Sequence, residues 1–471
     1  MQGLIVLGVF VLVVALCFYL YSRQKDAFVL TDEFKDILHI LDNTSESIFI
    51  SGKAGTGKSS LLQYFTARTD KKFVVLAPTG IAAMNIKGQT VHSFFKLPPR
   101  LIQADKLKPE YSRNALYENL DMVIIDEVSM ISANLMEAID MALRLNRNRH
   151  NEPFGGVQMV FIGDLFQLPP VVKSDLQAYY AATYGGNYFF DSPVFKTDFS
   201  YHRKELTHIF RQKDERFKKV LNRIRINEAR FDDFVLLNAR HRDNVGDNNS
   251  SIFLTTTNRN VKRINKENLE NLSGKEYIFE AVLTGKLRDE FERLKEQLAT
   301  KKISDTEFED EIEVKFPTNV FLKLKIGAQV MMLKNDGLKR WVNGTVGHIT
   351  RLTDREVWVE IDGHSYRMEQ ETWQDISYQY DAKRKEIKEN IKGTFTQFPI
   401  KLAWAMTIHK SQGKTFDKVV IDIGTGAFSH GQTYVALSRC KTLEGIVLTK
   451  EIRPSDVIVD ERVIQYYKKK R

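Results

Sequence analysis

GKAGTGKS, residues 52–59, matches the pattern G-x-x-x-x-G-K-[S/T] of loops that bind nucleotide phosphates. An apolar run at residues 48–50 precedes this stretch and the helix-like sequence LLQYF follows it, which is the strand-to-helix setting that such a loop requires. Glycines let backbone N–H groups surround the phosphates, the lysine reaches the β- and γ-phosphates, and the last hydroxyl binds Mg²⁺. We therefore predict that ATP and Mg²⁺ bind at Gly52, Ala54, Gly55, Thr56, Gly57, Lys58, Ser59 and Ser60.

A second motif, MVIIDE at residues 122–127, ends an apolar run with two carboxylates. Asp126 is expected to hold Mg²⁺ through water, and Glu127 is expected to orient and deprotonate the attacking water. The alternative is an ordinary strand that ends in acidic turn residues. The adjacent pair favours hydrolysis of ATP over transfer to an acceptor, because the sequence offers no recognisable acceptor pocket of a nucleotide kinase.

A third polar segment, GDLFQLPP at residues 163–170, follows the apolar run at residues 159–162. Its glutamine, Gln167, is placed to sense the γ-phosphate or the attacking water. The alternative is a proline-rich turn without a role in catalysis.

Short apolar runs alternate with helix-like stretches along the chain. Four runs lie at residues 48–50, 73–77, 122–125 and 159–162, and a second series lies at 252–255, 419–423 and 446–448. This alternation is typical of parallel sheets that are covered on both faces. We predict an α/β fold with two such units. From residue 320 to about 393, alternating sequences with NG and DG turns predict a β-rich insertion.

The composition of the chain narrows its class. Of 471 residues, 43% are hydrophobic and 27% are charged, which argues against a disordered or fibrous protein. A net charge of +9 favours a polyanionic partner, either nucleic acid or an anionic membrane, and a basic protein with no such partner is the equal alternative. Two cysteines, Cys17 and Cys440, cannot form a disulfide framework, so a reducing compartment is expected.

The first segment, residues 4–21, is LIVLGVFVLVVALCFYLY and carries no charge. As a helix it would span about 27 Å, close to the hydrocarbon core of a bilayer. We predict an N-terminal transmembrane helix that anchors the protein to a membrane, with Arg23 and Lys25 keeping the rest of the chain in the cytoplasm. An uncleaved hydrophobic tail or a misassigned start site is the alternative.

The motifs together form a series that resembles the petite-integration-frequency (PIF) family of DNA helicases, in superfamily one, branch B. The resemblance extends more distantly to RecD-like and Dda-like helicases. After GKAGTGKS come APTGIAA (77–83), TVHSFFKLPPR (90–100), IIDEVSM (124–130), GDLFQLPPV (163–171), LTHIFRQ (206–212), TTTNRNVKRIN (255–265), MTIHKSQGKTFDKV (406–419) and TYVALSRCK (433–441). Order and spacing match over residues 45–450, and residues 136–171 resemble the segment that separates this family from RecD-like helicases.

The resemblance implies two RecA-like P-loop domains with ATP bound between them, a small wedge domain and an inserted SH3-like β domain. The expected limits are an anchor at 1–25, domain 1A at 26–200 with wedge 1B at about 90–115, domain 2A at 201–270 and 394–455, domain 2B at 271–393, and a basic C-terminal tail at 456–471. The resemblance also implies an ATP-driven motor that moves 5′ to 3′ on single-stranded DNA and unwinds duplexes and forks. Some members resolve G-quadruplexes and RNA–DNA hybrids. We expect a monomeric motor, and the short architecture points to a bacterial protein.

Carried over to this sequence, the resemblance makes Arg211 and Arg439 the arginines that reach the γ-phosphate from the second domain, and Gln167 the γ-phosphate sensor. A guanidinium stabilises charge in the phosphoryl-transfer transition state, and it is missing until the cleft closes. Outside its motif, Arg439 would be assigned to a surface salt bridge. The family's adenine-contacting glutamine is replaced by Phe34, so the base contacts stay unassigned.

The family's DNA-contacting motifs fall on Thr79, Gly80, His92, Ser93, Phe94 and Phe95 in the first domain, and on Asn258, Lys334, Thr407, His409, Lys410 and Ser411 in the second. Motors that hold single strands combine a basic groove with aromatic rings on which bases stack. Alternatively, both phenylalanines belong to the core and the histidines are structural.

Two rival functions stay open from the sequence. A P-loop enzyme of another class, such as a nucleotide kinase or an ATPase that acts on protein, would turn over ATP regardless of DNA. A non-catalytic, membrane-tethered DNA-binding protein would have a decayed nucleotide site, which the intact Lys58, Arg439 and acidic pair make a weaker alternative.

Overall fold

Two parallel sheets form the framework of the protein. The computed structural model describes residues 30–98, 100–197, 199–243, 251–338, 340–341, 343–381, 386–424 and 426–468. The first sheet consists of β1 (Ser47–Gly52), β2 (Phe73–Ala77), β3 (Gln89–Thr90), β4 (Met122–Ile125), β5 (Gln158–Gly163) and β6 (Tyr201–Leu206). Its strand order is β3-β2-β4-β5-β1-β6, and every neighbouring pair is parallel.

The α-helices of the described residues provide the layers around the sheets. They are α1 (Asp32–Asn43), α2 (Lys58–Thr66), α3 (Gly80–Asn85), α4 (Val91–Phe95), α5 (Asn114–Glu118), α6 (Ala133–Asn146), α7 (Gln177–Tyr184), α8 (Glu215–Arg225), α9 (Phe231–Asn238), α10 (Asn258–Asn271), α11 (Gly285–Ala299), α12 (Asp305–Lys315), α13 (Gln432–Leu437) and α14 (Glu461–Lys468).

Helices cover both faces of the first sheet, and the apolar sequences of its central strands favour this burial. Every residue of β1, β4 and β5 is buried. Helices α1 and α2 cover one face through Ile37 and Phe65, and α6 covers the other through Met136 and Ile139. We call this sheet with its helices the first lobe.

The second sheet consists of β7 (Ile252–Thr255), β18 (Ala405–Thr407), β19 (Val419–Asp422) and β20 (Ile446–Leu448). Its strand order is β18-β7-β19-β20, and it is also parallel. Helices α8 and α13 pack on it through a core that includes Phe217 and Val435. We call this unit the second lobe. The seven apolar runs predicted as strands are all strands in the structure, and the two-unit α/β prediction is confirmed.

A β-rich segment interrupts the second lobe, in the region where alternation predicted an insertion. The strands are β8 (Tyr277–Glu280), β9 (Val282–Thr284), β10 (Phe321–Leu324), β11 (Gln329–Met332), β12 (Val346–Leu352), β13 (Val357–Ile361), β14 (His364–Arg367), β15 (Glu371–Asp381), β16 (Glu386–Gln397) and β17 (Ile400–Leu402). They form sheets with the orders β14-β13-β12-β11-β17, β15-β16-β9 and β10-β8. A side chain of β15, Ile376, is buried in the core of the first lobe, so this insertion contacts both lobes.

Two of the predicted domain limits, at residue 200 and at residue 456, differ from the structure. The domain boundary predicted at residue 200 would exclude β6, yet β6 pairs with β1 from Ser47 to Gly52. The sequence of β6, YHRKEL, is too polar to give an apolar strand signal. The predicted solvated tail after residue 456 instead contains α14, which buries Val463 and Tyr466 against the first lobe.

The prediction of a transmembrane helix in the fold is corrected. The longest helix of the described residues, α11, has 15 residues, and a membrane span needs about 20. Within the described ranges, no helix combines enough length and apolarity to cross a bilayer. Residues 4–21, on which the predicted anchor falls, lie outside the described residues. The predicted membrane partner and membrane localisation find no support in the described residues.

Candidate nucleotide and DNA site

The predicted phosphate loop connects β1, which ends at Gly52, to α2, which begins at Lys58. Gly55 and Gly57 have φ angles of 82° and 84°, a left-handed conformation that only glycine adopts without strain. A Cβ atom at Gly55 would also clash with Cβ of Arg211. The loop can therefore fold tightly only with glycine at these two positions.

The lysine of the loop folds back over it. Lys58 Nζ donates hydrogen bonds to the carbonyl oxygens of Gly52 at 2.6 Å and Lys53 at 3.1 Å. Burial lowers the pKa of Lys58, although nearby carboxylates oppose the shift. Among the other predicted loop residues, Gly52, Ala54 and Thr56 are buried, Gly55 and Gly57 are half-buried, and Ser59 and Ser60 are exposed in the first turn of α2.

The acidic pair follows β4 and lies close to the loop. The Glu127 backbone N–H donates to Asp126 Oδ1 at 2.9 Å. Burial and the charge of Glu127 raise the pKa of Asp126, and burial also raises the pKa of Glu127. Both carboxylates are therefore destabilised as anions, which favours a cation between them and the loop.

Mg²⁺ fits this donor set. In the described part of the chain, no group of three or more His, Cys, Asp or Glu side chains could enclose a metal ion. Mg²⁺ commonly takes only one or two protein oxygens and completes its shell with water and nucleotide phosphates. Ser59 and Asp126 are the residues that would hold it.

The segment after β5 places a buried carboxylate beside Gln167. Asp164 forms an ion pair with Arg225, with Nη2 and Oδ1 3.0 Å apart, and Gln167 Nε2 donates to Asp164 Oδ2 at 3.4 Å. Burial alone would raise the pKa of Asp164, but Arg225 and Lys58 outweigh burial and hold it below its ordinary value. Gln167 also accepts a hydrogen bond from Gln412 of the second lobe.

Two arginines of the predicted set lie where the second lobe meets the loop, and of these Arg439 is buried and Arg211 is half-buried. Arg439 donates to Val435 O at 2.9 Å, Ser411 O at 3.1 Å and Ser438 Oγ at 2.8 Å. Arg211 donates to Ser438 O at 3.2 Å. These acceptors are neutral oxygens, and the charge of Arg439 is offset only through space, by Glu127 and Asp164.

Burial and mutual repulsion act on this arginine pair. Burial, with a contribution from Arg211, lowers the pKa of Arg439 to about 9, and burial lowers the pKa of Arg211. Two neighbouring guanidinium groups that the carboxylates Glu127 and Asp164 offset only in part favour the binding of an anion. The Phe210 N–H donates to Gly55 O at 2.9 Å and Arg211 donates to Ser438 O, so the arginine pair lies against the phosphate loop. In agreement, Lys58 of the first lobe and Arg439 of the second both lower the pKa of Glu127.

The first-lobe residues predicted to contact DNA differ in exposure. Thr79 is exposed, with its hydroxyl capping the helix that begins at Gly80. His92 and Ser93 are half-buried, and Ser93 Oγ accepts from Gln89 Nε2 at 2.8 Å. The structure therefore leaves a polar edge at the carboxyl end of β2, with Thr79 as its most accessible side chain.

The two phenylalanines of the predicted set lie in the core. Phe94 is fully buried and Phe95 is 5% exposed. Their ring centroids are 4.8 Å apart, and both rings pack on Tyr117. The alternative that they are core residues agrees with the structure, because neither ring has a free face on which a base could stack.

The second-lobe residues predicted to contact DNA cluster after β18, apart from Asn258 and Lys334. Asn258 is exposed at the start of α10. Thr407 and Ser411 are buried and serve the turn itself, because Thr407 Oγ1 accepts from a backbone N–H and Ser411 Oγ donates to a backbone carbonyl. His409 is half-buried, and burial lowers its pKa.

The two lysines of this set are paired with carboxylates of the insertion. Lys410 Nζ lies 2.6 Å from Glu313 Oε1, and Lys334 Nζ lies 2.9 Å from Glu371 Oε2. Lys334 Nζ also lies 4.7 Å from the centre of the Trp373 ring. A phosphate at either lysine would have to compete with an internal anion.

Three residues of the cleft escaped sequence analysis. Tyr434 and Asp164 stand inside the quoted motifs TYVALSRCK and GDLFQLPPV, so their motif positions were a usable signal. Arg225 is the last residue of the amphipathic helix α8, a position at which an arginine is ordinarily expected to face solvent. No sequence pattern predicts its ion pair with Asp164.

The base contacts are not assigned by the geometry. Phe34 is buried, and its ring stacks on that of Phe210 with centroids 6.4 Å apart. The preceding carboxylate, Glu33, accepts from the backbone N–H of Thr207 at 3.1 Å. An aromatic pair, of which Phe210 is exposed, thus stands beside Gly57 of the loop.

The sequence also matches known proteins. A family model described as PIF1-like helicase matches residues 29–231, and that of the DNA helicase Pif1 2B domain matches residues 307–352. Human ATP-dependent DNA helicase PIF1 is 32% identical over 430 residues, which cover 90% of this chain and 61% of the human protein. The chain thus spans about three fifths of that relative. ATP-dependent DNA helicase Pif1 of Bdellovibrio bacteriovorus is 31% identical over 431 residues, covering 90% of this chain and 89% of that protein.

Solved structures of Bacteroides Pif1 share the fold. The complex of Bacteroides sp Pif1 with ADP-AlF4 has a TM-score of 0.81 at 36% identity and covers 94% of this chain and 97% of that chain. Bacteroides Pif1 bound to single-stranded DNA has a TM-score of 0.64 at 36% identity, with the same coverage. Sequence identity over nearly all of the Bdellovibrio protein, together with this shared fold, shows that the chain belongs to the PIF1-like family of ATP-dependent DNA helicases.

Proposed function

We propose that the protein is an ATP-driven motor that moves 5′ to 3′ along single-stranded DNA and unwinds duplexes and forks. The observation that carries this proposal is the cleft, where Arg211 lies against Gly55 of the phosphate loop and donates to Ser438 O beside Arg439, and where Gln412 of the second lobe donates to Gln167 of the first. A nucleotide bound there would touch both lobes, so its hydrolysis could change how they are held together.

The chain supplies each role that ATP hydrolysis requires. Lys58 and the loop amides would bind the phosphates, while Ser59 and Asp126 would hold Mg²⁺, whose charge helps to neutralise the phosphates. Glu127 would orient and deprotonate the attacking water, with Gln167 beside it. Arg211 and Arg439 would stabilise the charge that develops on the transferred phosphoryl group. Since one chain provides both faces of the cleft, a monomer is sufficient.

The DNA track is proposed to run over the ends of β2 and β18, where the two lobes present polar and cationic side chains. Thr79 is exposed after β2 and Lys410 supplies positive charge after β18, while Asn258 at the start of α10 and Lys334 after β11 would extend the track. Such short polar groups and lysines suit phosphate contacts, which carry no sequence information. Phe94 is left out of the track because it belongs to the core.

The deciding experiment measures ATPase rate with and without single-stranded DNA, together with unwinding of forks that carry only a 5′ or only a 3′ tail. We expect DNA to stimulate the ATPase and only the 5′-tailed fork to be unwound. Lys58→Ala should abolish both activities, whereas Lys35→Ala, at an exposed lysine of α1, should change neither. ATP turnover that ignores DNA would favour a P-loop enzyme of another class.

G-quadruplexes and RNA–DNA hybrids are proposed as further substrates, on the strength of the family resemblance. Unwinding of each should require a 5′ single-stranded tail, as for the duplex. A fork-only activity under the same conditions would remove them from the proposal.

A further inference from the structure

One tyrosine of the second lobe reaches into the phosphate loop of the first. The hydroxyl oxygen of Tyr434, at the start of α13, accepts a hydrogen bond from the backbone N–H of Ala54 at 3.0 Å. Tyr434 is 4% exposed and Ala54 is 6% exposed, so water does not replace this contact easily. The contact ties a backbone amide of the loop to the opposite face of the cleft.

The same hydroxyl is held from its other side. Tyr434 donates to Asp164 Oδ2 at 3.4 Å, and Asp164 is fixed as an anion by the buried ion pair with Arg225 of α8. A phenol has a single proton to donate, so the bond to Asp164 leaves its oxygen free to accept from Ala54. These two hydrogen bonds and the ion pair connect Ala54, Tyr434, Asp164 and Arg225 in that order. Since the four residues belong alternately to the first and the second lobe, this series of contacts crosses the cleft three times.

Tyr434 is also connected to the arginine of the cleft. Both residues belong to the segment 432–440, in which the Ser438 N–H donates to Tyr434 O at 2.9 Å and Arg439 Nε donates to Val435 O at 2.9 Å. Displacement of the Tyr434 ring would therefore move the backbone that carries Arg439.

We propose that Tyr434 is a positioning residue that sets Arg439 against the phosphate loop for ATP hydrolysis. This inference rests on the proposed function because it assumes that ATP is hydrolysed in this cleft, but it does not require that the protein binds DNA. The hydroxyl touches the loop backbone and not the reacting atoms, so it acts through Arg439. The Tyr434 hydroxyl should matter most when Arg439 stabilises the transition state. Its removal should therefore lower kcat more than it raises the KM for ATP.

The test is a double-mutant cycle on the full chain, using ATP hydrolysis without DNA. Tyr434→Phe removes only the hydroxyl, and we expect kcat to fall about tenfold, the size of one lost buried hydrogen bond, with KM changed less than about twofold. In the Arg439→Ala background, the same change should cost less than about twofold, because its target is gone.

A matched control separates positioning from folding. Tyr184 is another buried tyrosine whose hydroxyl both donates, to Glu137, and accepts, from Asn134, but it lies outside the cleft. Tyr184→Phe should leave kcat unchanged. If Tyr434→Phe is partly unfolded at the assay temperature, the cycle is run at a lower temperature, at which circular dichroism shows that all four proteins are folded.

The outcomes are distinct. Three results would each overturn the role of Tyr434. They are additive losses of kcat in the cycle, a KM for ATP that rises by the same factor as kcat falls, and an unchanged kcat in Tyr434→Phe. Failure of DNA to stimulate the wild-type ATPase would instead overturn the proposed motor, and the cycle would still decide the role of the tyrosine.

Discussion

The helix α12 places carboxylates against cations near the proposed DNA track. Glu313 Oε1 lies 2.6 Å from Lys410 Nζ, and Lys262 Nζ lies 2.7 Å from Asp310 Oδ1 and 3.3 Å from Glu309 Oε2. DNA phosphates and these carboxylates would compete for the same lysines. We therefore expect Glu313→Gln to tighten the binding of single-stranded DNA.

The magnitude follows from the exposure of the pair. The side chains of Lys410 and Glu313 are 27% and 34% exposed, so solvent screens their attraction to about 0.5–1 kcal/mol. Releasing Lys410 from Glu313 should tighten the dissociation constant by about two- to fivefold. The gain should shrink with added salt, which screens the phosphate contacts.

The assay is fluorescence anisotropy of a labelled oligothymidine at several salt concentrations. Glu311→Gln is the matched control, because it removes the same charge from the same helix while Glu311 pairs with Lys315 of α12 itself. In a Lys410→Ala background, Glu313→Gln should bring no gain. Equal gains from both glutamine variants, or a gain that persists without Lys410, would refute the competition.

Three further predictions concern the nucleotide site. Arg439→Ala should lower the ATPase about 10³-fold and leave DNA affinity nearly intact, and an unaltered rate would contradict its role. Asp164→Asn should lower the melting temperature, because a buried Arg225 without its anion costs about 3–5 kcal/mol. Since its cationic neighbours hold the pKa of Asp164 below 3.8, this stabilisation is present above that pH and lost as acid protonates the carboxylate, so the melting temperatures should converge in acid. With Phe34 buried beside the loop, kcat/KM for GTP should be within about fivefold of that for ATP; strong rejection of GTP would show that another group contacts the base.

The sequence predicts the lobes well because buried parallel strands leave a strong local signal. Runs such as residues 122–125 and 159–162 are strands in the structure for that reason. The edge strand Tyr201–Leu206 is missed because its polar sequence lacks that signal. The helix Glu461–Lys468 is missed because its burial depends on docking to the other lobe, which no local pattern encodes.

In the candidate site, too, the sequence predicts some features correctly and others incorrectly. Motif positions place Lys58, Asp126 and Glu127 at one edge of a sheet, where the structure has them. Motif matching also assigns Phe94 to DNA, although its ring packs on Tyr117 in the core. A motif fixes the local backbone, but whether a side chain points into a groove or into the core depends on distant residues.

The charges of the cleft support the link between nucleotide binding and lobe closure in the proposed motor. The first lobe contributes Asp126 and Glu127, whose pKa values burial raises, and the second contributes Arg211 and Arg439, whose pKa values burial lowers. Each pair is destabilised by its own like charges, and Glu127 already feels the field of Arg439. A phosphate chain carrying a divalent cation offers positive charge to one pair and negative charge to the other. In the proposed motor, a closed cleft would satisfy both pairs at once, so nucleotide binding would favour the closed arrangement and loss of the γ-phosphate would remove the anion that the two arginines share.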